Sequence, residues 1–143
     1  MLFRSANLIE DCKGQYVYDP IYREPWIVFD RDQVVDFDRI IAHANAEGIN
    51  VGWSNPCFEI FLFGYFGRIP AIDNSVKCCK GFSDLYKRIT HKSYSKSDKD
   101  LYKTLCRYGD EEGAIKKSRE KYSNCVRSGY EIPSKMCHCN TVY

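Results

Sequence analysis

Two aspartates one residue apart, Asp30 and Asp32, close the apolar run Trp26-Ile27-Val28-Phe29 and are the first candidates for chemistry in this chain. Carboxylates held that close repel each other unless a cation or a shared proton relieves them, so the pair suits a hard, oxygen-seeking ion such as Mg²⁺ or Mn²⁺. The competing reading makes both acids the opening turn of a helix, where Asp is favoured. A third carboxylate, Glu59, is the one charged side chain between Pro56 and Gly67. Among Phe58, Ile60, Phe61, Leu62 and Phe63 it must be paired, protonated or bound to something. Either it joins the acidic site, or backbone N–H groups or an arginine hold it.

The elements that must position these acids are legible from spacing. Residues 26–29 read as a strand covered on both faces, delivering the aspartates to the edge where open α/β sheets place their chemistry. Val34, Phe37, Ile41 and Ala44 recur at helical spacing with Ile40 beside them, and Gly48 marks the helix end. Residues 49–53, Ile-Asn-Val-Gly-Trp, make a second strand, parallel to the first through a right-handed crossover. Asn55 as N-cap and Pro56 as first helical residue then predict a buried helix over 57–66, with Glu59 in its first turn.

Charge divides the chain. Residues 1–75 hold six Lys or Arg against eleven Asp or Glu, a balance of −5, whereas residues 76–128 hold fourteen against seven, a balance of +7. Leu101, Tyr102, Leu105 and Tyr108 predict a short helix in the basic half. Asp110 predicts the cap of a second, with Ile115, Ser118, Tyr122, Cys125 and Val126 facing inward and Lys116, Lys117, Arg119 and Lys121 mostly outward. Such a run is most often a solvated face. Lys87, Arg88, Lys92, Lys96 and Lys99, around a loop rich in Ser and Tyr, are the better phosphate ligands, and Tyr86, Tyr94 and Tyr102 offer rings for stacking on bases or for the core. A basic helical half beside an acidic metal edge is what a nucleic-acid phosphodiester enzyme needs.

The order of the strand ending in Asp-Arg-Asp, the amphipathic helix and the string Trp53-Ser54-Asn55-Pro56-Cys57-Phe58-Glu59-Ile60 resembles the RloB family, found beside restriction and abortive-infection genes in bacteria and archaea. The resemblance extends over roughly residues 20–143. It includes the segment Tyr94-Ser95-Lys96-Ser97-Asp98-Lys99-Asp100-Leu101-Tyr102 and the closing Asn140-Thr141-Val142-Tyr143. The resemblance implies a Toprim-like fold: a small, mainly parallel sheet flanked by helices, with a C-terminal basic helical appendage. It also implies that Asp30 and Asp32 bind the metal; Glu59, from its placement among apolar residues, is read as a third acid or a support that orients them. The family's Asp-x-Asp works with a Glu on an earlier strand. Only twenty-five residues precede Trp26 here, so the chain is expected to begin inside the family domain.

Composition is consistent with one domain over 1–143, an acidic α/β part over 1–75 and a basic helical part over 76–143, large enough to bury about two-thirds of its unfolded surface. No secretory leader or apolar stretch of membrane-spanning length is seen, which points to a cytoplasmic protein whose eight cysteines stay reduced. Cys78, Cys79, Cys137 and Cys139 offer four soft ligands for zinc, though without finger or ribbon spacing. Cys57, with no histidine placed beside it, reads as a packing residue. Without a phosphate-cradling loop the chain is not expected to hydrolyse ATP itself, and the resemblance implies a partner ATPase, since RloB-like proteins often stand beside an ATPase gene. The expected function is that of a Mg²⁺- or Mn²⁺-dependent nuclease effector in anti-phage defence, acting on DNA or tRNA. The alternatives are a truncated, non-catalytic relative that binds nucleic acid or the ATPase through its basic half, and a zinc-stabilised interaction module.

Overall fold

The computed structural model describes residues 5–18, 24–32, 34–136 and 138–141. Strand β1 (Trp26–Asp30) pairs in parallel with β2 (Asn50–Ser54), Trp26 opposite Asn50 and Asp30 opposite Ser54. Helices flank this two-stranded sheet, giving the small α/β architecture expected. Helix α1 (Ser5–Tyr18) packs on β1, and α2 (Phe37–Ala46) fills the connection between the strands. The α2 stripe of Phe37, Ile40, Ile41 and Ala44 buries against Ile27, Phe29 and Trp53, and Gly48 takes the positive φ (+72°) that turns the chain back into β2. Residues 34–36 stay outside α2, one turn short of the helical pattern.

One expectation about β1 fails. Trp26 and Val28 are 53% and 57% exposed while Ile27 and Phe29 are buried, so the strand is covered on one face only. Among the described residues the sheet has two strands and one packed face, and an unbroken apolar run does not reveal which side lacks a partner.

The second core surrounds α3 (Glu59–Phe66), which is apolar on all sides and packs against α4 (Ser75–Thr90), α5 (Leu101–Tyr108) and α6 (Glu111–Arg127). Gly64 permits the close approach of α6, since a Cβ there would lie 3.0 Å from Ala114 Cα. Asn74 caps α4 by accepting the Lys77 N–H at 3.0 Å, and Asp110 caps α6, as expected, by accepting the Gly113 N–H at 3.0 Å. The predicted Asn55 cap does not form: the Asn55–Pro56 peptide is cis, α3 begins only at Glu59, and the Asn55 side chain bonds elsewhere. The inward faces of α5 and α6 are narrower than the periodicity implies. Leu105, Ala114 and Ser118 are buried and Ile115, Tyr122 and Cys125 are packed against the cores, but Tyr102 and Val126 are 61% and 50% exposed.

The turn into α6 is constrained sterically rather than by backbone dihedrals. A Cβ on Gly109 would sit 2.8 Å from both Tyr65 Cβ and Tyr65 O, beside the bond from Asp110 N–H to Tyr65 O at 2.8 Å. Gly109→Ala is therefore expected to destabilise the protein by about 1–3 kcal/mol, read as a lower urea midpoint with an unchanged m value. An unshifted midpoint would show that α5 and α6 are not docked this tightly.

Candidate functional site

Both parallel strands bring their carboxyl ends to one edge, Asp30 beside Ser54. The pairing continues beyond them: Arg31 N–H donates to Ser54 O at 2.8 Å and Asp32 N–H to Pro56 O at 2.9 Å. This extension lays the Asp-Arg-Asp segment along residues 54–56 and sets the first turn of α3 beside it. Glu59, at that turn, is fully buried. Its Oε1 accepts from Lys96 Nζ at 3.0 Å and from the Tyr94 hydroxyl at 3.0 Å, while Oε2 has no hydrogen-bond partner. Lys96 Nζ also lies 3.8 Å from Asp30 Oδ2. One ammonium thus joins two carboxylates from different elements.

Burial and charge set the ionisation of this trio. Burial pushes the Asp30 carboxyl above its ordinary range, Lys96 and a Phe58 backbone N–H opposing it, with Glu59 and Asp32 adding repulsion. Burial also acts to raise Glu59, but the hydrogen bond and charge of Lys96 outweigh it and hold the carboxyl below its usual value. Burial disfavours the Lys96 ammonium, yet its bond to Glu59 and the charge of Asp30 leave its pKa raised. Asp32 differs: at φ +23° it turns its Oδ1 to the Ser75 hydroxyl, 2.6 Å away at the start of α4.

Lys96 comes from the loop between α4 and α5, and Tyr94 places it. The Tyr94 ring stands edge-on to Phe82 (4.8 Å between centroids) and Tyr86 (5.6 Å), and its hydroxyl carries on to Glu59. Tyr86 has no exposed surface and Tyr94 is part of the same aromatic cluster, so neither ring is free to stack on a base; Tyr102 remains exposed, its hydroxyl donating to Glu111 at 3.1 Å. Lys87 and Arg88 lie exposed in the last turn of α4, and Lys92 and Lys99 are exposed in the following loop. On α6, Lys117 donates to Gly64 O at 3.0 Å and Lys121 to Ile69 O at 3.5 Å, serving the carboxyl end of α3 rather than solvent.

The far side of the edge is closed by the C-terminal segment. Asn55, fully buried, donates to Pro133 O (3.0 Å) and Ser134 O (3.3 Å) and accepts from Arg31 at 3.3 Å. Ser54 Oγ donates to Asn140 Oδ1 at 2.7 Å, and Thr141 N–H to Trp53 O at 2.8 Å. These partners give the Ser54-Asn55 string and the Asn140-Thr141 end motif a shared task, holding the segment 133–141 across β2.

The cysteines are placed differently from the pairing that four soft ligands would need. Cys78 belongs to the core around α3 and Cys139 to the core around the sheet, where its sulfur lies 3.1 Å from Cys125 Sγ; Cys137 is outside the described residues. Cys57 Sγ and Cys79 Sγ are 3.8 Å apart, next to Glu59. The Cys78 thiol and burial push the Cys57 thiol far above its usual range, and burial pushes Cys79 up to about 12. Neither is a thiolate nucleophile as it stands. The pairings of Glu59 with Lys96 and Tyr94, and the approach of Cys79, span too many residues for sequence spacing to signal them.

A family model described as RloB-like protein matches residues 5–142, nearly the whole chain. No curated protein and no solved structure matches it.

The Lys96–Glu59 pair generates a direct test. Removing the cation leaves a buried charge, so Lys96→Met is expected to destabilise by about 1–3 kcal/mol, reduced from the ~3–5 kcal/mol of a fully buried pair because the lysine is 55% exposed. In a Glu59→Gln background the same change is expected to cost less than about 0.5 kcal/mol, measured as a double-mutant cycle by urea denaturation. Equal costs in both backgrounds would mean that the pair does not hold the loop.

Proposed function

The chain belongs to the RloB-like family, and on that premise we propose that it is a metal-dependent nuclease effector of an anti-phage system, cleaving nucleic-acid phosphodiesters. The observation that carries the reading is the convergence of Asp30 and Glu59 on Lys96 at the carboxyl edge of the parallel strands, with Asp32 two residues beyond, held by Ser75. The donors there are carboxylate oxygens, the hard ligands that Mg²⁺ or Mn²⁺ takes, and Asp30 is partly exposed, so the donor chemistry fits such an ion. Asp30 and Asp32 would hold it. When bound, the ion supplies activation of water and neutralisation of phosphate charge.

The protein's own groups account for the rest. Ser75 fixes the Asp32 carboxylate, and the Phe58 N–H helps orient that of Asp30. Glu59 acts through Lys96, holding the ammonium beside Asp30, where its exposed portion can meet a substrate phosphate. Lys87, Arg88, Lys92 and Lys99 lie exposed on the α4 end and its loop, and extend the reading to a DNA or tRNA backbone. A partner ATPase, which the family resemblance implies, would supply sensing. Among the described residues no helix is long and apolar enough to cross a membrane.

A second reading has its own support. Lys96 already neutralises two of the three acids, and a chain whose lysine stays there binds nucleic acid or the ATPase without cleaving. Labelled DNA and tRNA incubated with Mg²⁺ or Mn²⁺ separate the two. The nuclease reading expects Asp30→Asn and Asp32→Asn each to lower cleavage by about 100-fold or more with substrate binding retained. Binding without cleavage by the unaltered chain, with and without its ATPase, would leave the second reading in place.

A further inference from the structure

Behind the acidic edge, on the side of α3 that faces α4, Cys57, Glu59 and Cys79 gather their ligand atoms within 4.8 Å of one another. Cys57 and Glu59 flank the start of α3, one just before it and one at its first position, and Cys79 comes from the second turn of α4. The two sulfurs are 3.8 Å apart. Thiolates at ~2.3 Å from a common zinc ion and at the tetrahedral angle stand about 3.8 Å apart, the same spacing. Glu59 contributes a second, independent sign: its side chain has no exposed surface, and its Oε2 is a buried carboxylate oxygen with no hydrogen-bond partner. A buried carboxylate oxygen normally has a partner, and one left without it beside two thiols is a ligand atom in waiting.

We propose that Cys57, Cys79 and Glu59 form a binding site for a soft divalent cation of the Zn²⁺ class, distinct from the Asp30–Asp32 edge. Two thiolates and a carboxylate carry three negative charges. The ion carries two positive ones, and the Lys96 ammonium, 3.0 Å from Glu59, supplies the third. The ammonium also faces Asp30 at 3.8 Å and is shared between the two carboxylates, and this counter-charge limits the cost of keeping such a charge set buried. On binding, each thiol releases its proton to solvent and its sulfur takes the metal, while Glu59, already ionised beside Lys96, gives up none. Mg²⁺ is a poor competitor here because it prefers oxygen ligands and octahedral geometry. Three protein ligands leave one tetrahedral position for water.

The site shares Glu59 and Lys96 with the nuclease reading, but its test reads metal binding and does not depend on cleavage. Titration of the full chain with Co²⁺ under a phosphine reductant is expected to give a sulfur-to-cobalt charge-transfer band at one equivalent, displaced by Zn²⁺ and unchanged by a large excess of Mg²⁺. Cys57→Ser and Cys79→Ser are each expected to weaken Zn²⁺ binding by at least about tenfold, the loss that even outer-shell changes cause at zinc sites. Cys106→Ser, at an exposed cysteine, should bind as the parent does. In the unaltered protein, Zn²⁺ should also protect Cys79, the partly exposed thiol of the pair, from prolonged alkylation, mapped by mass spectrometry, while Cys106 reacts regardless; this readout stands even if a serine variant fails to fold. Asp30→Asn, which the nuclease reading expects to be inactive, should keep the cobalt band. Cobalt uptake without a thiolate band, or alkylation of Cys79 unaffected by Zn²⁺, would overturn the site.

Discussion

Glu59 stands without exposed surface at the first turn of a helix whose other residues are Ile, Phe, Leu, Gly and Tyr, and its ionised carboxylate is tolerable there because Lys96 donates to it at 3.0 Å. Taking an ion out of water costs several kcal/mol even after relaxation, so the counter-ion is a structural requirement. The lysine sits on the loop after α4, which must therefore fold back over α3. Tyr94 makes that return specific by packing on Phe82 and Tyr86 while bonding Glu59. The conformation of the loop and the seating of the Tyr94 ring on α4 depend on this one buried charge, which also adds its repulsion to the burial that raises Asp30.

A second polar constraint joins the two cores. Ser54, Asn55 and Asn140 are nearly free of solvent contact and satisfy one another or the carbonyls of Pro133 and Ser134. Asp38 on α2 adds to the same strap by accepting the Ser134 N–H at 2.8 Å. Buried hydrogen bonds of this kind add about 1 kcal/mol each when made and cost more when one partner is lost, so they fix where the chain end lies more than they add to overall stability. Because Asn55 sits between β2 and α3, the strap also sets how the sheet meets the helical core.

The charge asymmetry between the halves is partly architectural. Lys117 and Lys121 are spent on carbonyls at and after the end of α3, where cations are favoured by the helix dipole, and Lys96 is spent on carboxylates. The positive charge left exposed is spread over the end of α4 and its loop and over α5 and α6, where Lys103, Arg107 and Lys116 face solvent. A count of lysines along the chain overstates the surface available to a phosphate backbone.

Much of the local structure was legible in the sequence because it arises from neighbours. The strand ending at Asp30, the amphipathic stripe of α2, the turn at Gly48, the second parallel strand and the Asp110 cap follow from periodicity and capping chemistry within a few residues. The motif order also pointed to the family that covers residues 5–142. What failed were statements about surroundings, the covering of both faces of β1 and the Asn55 cap. Of the alternatives left open, the structure takes the core role for Tyr86 and Tyr94 and places Cys78 and Cys139 in separate cores. Composition by itself marked Glu59 as a carboxylate that needed a partner, since an acid among phenylalanines cannot stand alone. Only the tertiary structure decided that the partner is Lys96, that Tyr94 holds it, and that Cys79 approaches Cys57, because those contacts join residues more than twenty positions apart. Local pattern determines which groups must be satisfied, and the packing of distant segments determines by what.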